Sequence, residues 1–147
     1  MNSPSYEIIE IASDFSEYKF ISRGPKGDIL KLIVFKKIFI ESLYNISLLD
    51  VMQDGSLSDT ISSNNDDLRK ILSTIIQVIG DYTYRFPERS IFFQGSDDGR
   101  RMTLYQKAIT NHLFILEPDY LIVGIKDGKE EDFDPAETYA AILVKRK

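Results

Sequence analysis

The apolar residues between positions 68 and 82 constrain this chain more than any other feature. Leu68, Ile71, Leu72, Ile75, Ile76, Ile79 and Tyr82 recur at three- and four-residue steps, so on a helix they line one continuous face. Ser63 or Asn64 can cap the first turn, Asp66 and Asp67 suit the positive end of the dipole, and Pro87 ends the helix because its ring clashes with another turn. Such a stripe must lean on something, and the rest of the chain supplies strands.

Residues 17–23 alternate in character, and Gly24-Pro25-Lys26-Gly27 then turns the chain, the proline presetting φ while the glycines tolerate positive φ. The return strand, 28–36, is apolar on both sides: Leu30, Leu32 and Val34 on one, Ile29, Ile33 and Phe35 on the other. It is therefore expected inside the sheet with both faces covered, Lys31 being the exception. A third strand is expected within 38–50, a loop over 52–63, and a short strand over 90–94.

A second helix carries the stripe Leu104, Tyr105, Ala108, Ile109 and His112 or Leu113, bounded by Pro118. Residues 120–126 and 138–145 form a closing strand pair joined by an acidic loop, 127–137. Neither helix can hide its stripe alone. The expected fold is α+β: a single mainly antiparallel sheet of about six strands with two helices packed on it, in the order βββ-α-β-α-ββ. Residues 1–147 make a single domain, with 1–16 as a loosely attached N-terminal segment.

Composition narrows the chemistry. At 147 residues, 43% hydrophobic and 28% charged, one ordinary core suffices. The net charge of −5 argues against duplex nucleic acid as a partner, because that binding runs on neutralised phosphates. With no cysteine and one histidine, disulfides, thiolate nucleophiles and Cys-ligated zinc are excluded, and folding without metal or cofactor is expected. The N-terminus has no positively charged signal region, and the apolar run 29–43 is broken by Lys31, Lys36, Lys37 and Glu41. A cytoplasmic protein without a membrane association is expected.

One segment stands out chemically. After the strand ending at Gln94, Gly95-Ser96-Asp97-Asp98-Gly99 turns into a helix headed by Arg100 and Arg101. Arginine opposes the dipole there, so the pair is a candidate for holding an anion beside the Ser96 hydroxyl and the first helical N–H groups. The competing account is a plain turn whose arginines pair with nearby carboxylates. No P-loop, dinucleotide fingerprint or nucleophile elbow occurs, and no catalytic residue is assigned.

The blocks Gly24-Pro25-Lys26-Gly27, Lys31-Leu32-Ile33-Val34-Phe35, Leu43-Tyr44-Asn45-Ile46, Ser63-Asn64-Asn65-Asp66-Asp67, Gly95-Ser96, Arg101 through Leu104-Tyr105 to Ile109, and Tyr139-Ala140-Ala141-Ile142-Leu143-Val144 resemble an uncharacterised bacterial family of unknown function. The likeness spans most of the chain from Tyr18 onward. It implies a shared fold and no established activity, and it places Asn64, Gly95, Ser96, Arg100, Arg101 and Tyr105 together as candidate ligand-binding residues. The turn is slightly longer here than in the family pattern, so either arginine can hold the family position.

Two functional readings follow. The first is a small non-enzymatic interaction or regulatory module whose partner is another protein or a second copy. The alternative is a small-ligand or phosphate-binding protein, possibly an enzyme, built on the Ser96/Arg101 corner.

Overall fold

The computed structural model describes residues 4–38, 42–58, 65–95 and 99–147. Among them the strands are β1 (Glu10–Ile11), β2 (Glu17–Gly24), β3 (Gly27–Lys37), β4 (Leu43–Val51), β5 (Leu57–Ser58), β6 (Ser90–Gln94), β7 (Tyr120–Lys126), β8 (Lys129–Asp132) and β9 (Ala141–Arg146). The helices are α1 (Leu68–Arg85), α2 (Arg100–Asn111) and α3 (Leu113–Leu116). All strands join one sheet in the order β1-β2-β3-β4-β6-β9-β7-β8, with β5 beside the far end of β4.

The fold is α+β with a mainly antiparallel sheet, yet the sheet has nine strands rather than about six. The element order differs accordingly, through the insertions β1, β5, β8 and α3. These pieces are two to four residues long, too short for a hydrophobic period to register. β8 arises inside the acidic run expected to be a loop. Asp127 and Gly128 both take positive φ, 53° and 73°, which is the geometry of a two-residue hairpin turn.

The β2–β3 hairpin turns at Pro25-Lys26, with Gly24 opposite Gly27 and Gly27 at φ 88°. β3 lies between β2 and β4, so Lys36 and Lys37 are exposed at the end of an interior strand and do not guard a sheet edge. β4 begins at Leu43; residues 39–41, where the third strand was expected to start, lie outside the described residues. β1 pairs with β2, and the Tyr6 amide donates to Thr74 Oγ1 at 2.8 Å.

The α1 stripe is buried as its spacing requires: Leu72, Ile75, Ile79 and Tyr82 are each 1% exposed, and only Leu68 in the first turn stands open at 42%. Each such side chain contributes about 1.5–3 kcal/mol of burial. Tyr82 stacks on Phe35 with ring centroids 3.7 Å apart and planes 6° from parallel. One core cluster unites this stripe and Leu104, Tyr105 and Ile109 of α2 with Tyr18, Ile33, Phe35, Ile46, Ile91 and Ile142, which register to one face of the sheet.

Both helices thus cover the same face. Of the residues β3 sends the other way, Leu30 and Val34 are half-buried and Leu32 is 6% exposed, and all three lie outside that cluster. The described helices cover one face of β3, and on the other Leu32 is buried while its neighbours stay partly open.

Candidate functional site

The corner between β6 and α2 depends on two glycines. A Cβ on Gly95 would sit 3.0 Å from Met102 Cβ, and Gly99 holds φ at 76° as the residue preceding α2. Thr103 N donates to Gly99 O at 3.0 Å, closing the first turn. Arg100 is exposed and Arg101 partly so, which puts Gly95, Arg100 and Arg101 at one end of the sheet. Ser96 and Asn64 lie outside the described residues.

Tyr105 does not join that group at the surface. Its ring is 1% exposed and edge-on to Phe93 at 5.2 Å, and its hydroxyl accepts a hydrogen bond from Leu48 N at 3.3 Å. That bond has a topological cause. β4 and β6 are the parallel pair of the sheet, joined through α1, and their register covers only residues 43–45 against 90–92. Beyond it β4 parts from β6 and meets β5 at Asp50–Ser58, so the intervening edge amide needs an acceptor, which Tyr105 brings.

The parting strands run toward the end where α1 and α2 both begin, the place where parallel-strand crossovers commonly open a crevice. There, on the helix-covered face, Lys31 Nζ lies 2.6 Å from Asp50 Oδ1 across the β3–β4 pair. The residues are 3% and 7% exposed. Lys31 was legible as the one charge in an apolar strand. Nothing in the sequence singled out Asp50.

The same end carries a hydrogen-bond chain that sequence reasoning missed. Asn65, 2% exposed, donates from Nδ2 to Gly27 O at 2.8 Å and Ser22 Oγ at 3.1 Å, and its Oδ1 accepts from Lys26 N at 2.7 Å. Ser22 Oγ donates to Asp67 Oδ2 at 2.5 Å, and the Tyr6 hydroxyl donates to the same oxygen at 2.6 Å. Tyr6 in turn accepts from Arg23 N at 2.9 Å. Burial, then the Asp67 carboxylate, raises the Tyr6 phenol above its ordinary pKa.

This chain ties the N-terminal segment, the first hairpin and the start of α1 into one knot. Asp67 precedes α1 without a side-chain capping bond, because its carboxylate is turned into the knot. A groove of about 620 Å³ opens alongside, its lining including Arg23, Arg69, Lys70, Glu7 and Asp66. His112 is structural: its Nδ1 donates to Ala108 O at 2.7 Å, leaving Nε2 to accept from Ser73 Oγ at 3.2 Å. Among the described residues, no group of three or more acidic or histidine side chains is placed to hold a metal ion, and no helix is long and apolar enough to cross a membrane.

The outer face of the sheet is the largest feature left without an internal explanation. Register pairs Ile21 with Leu30 and Val51 with Leu57 on this face, and places Phe92, Leu143 and Val123 in one row across β6, β9 and β7. Leu57 is 53% and Leu121 52% exposed, and the others named are partly open.

A family model described as a family of unknown function, DUF6934, matches residues 2–147. The chain belongs to that family. No curated protein and no solved structure matches it. Membership of DUF6934, a family of unknown function, brings no activity with it. The arrangement of this DUF6934 chain is therefore judged on its own geometry: a polar knot and a buried ion pair at one end, and an apolar sheet surface on one side.

Proposed function

We propose that this chain is a non-enzymatic interaction or regulatory module of the bacterial cytosol, which engages another protein or a second copy of itself through the outer face of its sheet. The observation that supports this is the row structure of that face. Antiparallel sheets with one solvated face normally alternate apolar-in and polar-out, and here β3 and β4 send the partly open Leu30, Val34, Leu49 and Val51 outward. The expected result of placing a photo-crosslinking residue at Val34 or Leu143 is a protein adduct, with none from the same residue at Lys107 on the helix side. Equal labelling at both positions, or none at either, contradicts the reading.

A second reading is favoured by Gly99, which delivers Arg100 and Arg101 together to the head of α2. It is a small anionic ligand, such as an organic phosphate, bound at the Gly95–Arg101 corner or turned over there. Arg101→Ala is then expected to abolish binding of a phosphate-bearing ligand in calorimetry with an unchanged melting temperature. Unfolding instead marks Arg101 as a structural ion-pair residue.

A further inference from the structure

We infer that the outer face is covered by a second copy of this chain, two sheets packing face to face about a twofold axis. This rests on the reading of that face as an interface and goes beyond it by naming the occupant.

Size is the first support. Eight strands at about 4.8 Å spacing, averaging roughly 20 Å in length, present on the order of 800 Å², which is about what one partner contributes to a standard stable interface. Flat sheets meet well in this way, about 10 Å apart, with their side chains interdigitated.

The second support is the placement of charge. The middle of the face, from β3 through β7, carries apolar side chains with Asn45, Ser47 and Gln94 among them. Charges sit around it, as in an interface with an apolar centre and a polar rim. On that rim Lys19, Arg23, Lys36 and Lys145 are set against five carboxylates from β1, β2, β3 and β8. The face is therefore close to neutral although the chain carries −5, so two copies meet there without the repulsion their net charges imply elsewhere.

The third support lies at the centre. Gln94 is exposed on this face. Amide side chains are both donors and acceptors, so the Gln94 amides of two copies related by a twofold axis can satisfy one another. An unrelated apolar partner has no such built-in match.

The test is sedimentation velocity of the full chain between about 1 and 100 μM, a range bracketing an ordinary micromolar dimer. Wild type is expected to shift from 16.9 kDa toward twice that mass. Val34→Lys and Leu121→Lys are each expected to weaken the association at least tenfold while far-UV circular dichroism and melting stay unchanged. Leu121 is already 52% exposed, so that variant keeps its fold.

A wild type that stays at monomer mass throughout, or a dimer untouched by both substitutions, overturns the inference. If the wild type is monomeric while a crosslinker at Val34 captures a different protein, the second copy is refuted and the interface reading stands. If it is monomeric and no adduct forms, both are refuted.

Discussion

Asp50→Ala is expected to destabilise the fold by about 3–5 kcal/mol, because it removes the carboxylate that sits 2.6 Å from the Lys31 ammonium in a place that is 3% exposed. For a chain of this size that lowers the melting midpoint by on the order of 10 °C. The sign of the companion experiment is opposite. Replacing both partners by apolar residues, Lys31→Met with Asp50→Leu, removes the buried ammonium together with its carboxylate and is expected to recover most of the loss. Thermal melts of the three proteins decide it. If Asp50→Ala alone costs under about 1 kcal/mol, the pair is not the desolvated contact its 2.6 Å geometry describes.

Tyr82→Ala is expected to cost a similar amount, about 3–5 kcal/mol, through a different mechanism. The ring fills the space between α1 and the sheet, stacked on Phe35 and in contact with Phe86, and its hydroxyl accepts from Arg89 at 2.8 Å. The Arg89 guanidinium also lies over the Phe86 ring at 3.8 Å and the Tyr44 ring at 4.3 Å. Removing Tyr82 therefore opens a cavity and loosens a cation that rests mainly on aromatic faces. Tyr82→Phe keeps the stack and is expected to lose only about 1 kcal/mol, the scale of a single hydrogen bond. Chemical denaturation of both variants separates packing from the bond.

How much of this was legible in the sequence depended on length and on distance along the chain. α1 was readable because its stripe runs for many turns, and the β2–β3 hairpin because proline and glycine at the turn have local conformational reasons. β8 was hidden by charge: an acidic run looks like a loop until the Asp127-Gly128 turn is weighed as a hairpin signal.

At the candidate site, Lys31 announced itself as a charge in an apolar strand, but Asp50 lies 19 residues away and carries no mark of its own. The same holds for Asn65, whose partners at Ser22, Lys26 and Gly27 are about 40 positions distant. Tyr105 was legible as part of the α2 stripe and is core, but the bond its hydroxyl accepts from Leu48 N was not, because the fork between β4 and β6 is a property of the sheet topology. The two-sided apolar pattern of β3 was visible too. The helices supply the cover for one of those faces.

That uncovered face is the centre of the account, and methyl relaxation by a soluble paramagnetic agent measures it residue by residue. At low concentration the methyls of Val34, Leu49, Val51, Val123 and Leu143 are expected to relax faster with the agent present. At high concentration they should lose most of that enhancement, while Ile115 of α3, 44% exposed on the helix layer, keeps its own. Enhancement on the sheet methyls that stays the same at every concentration would contradict the account.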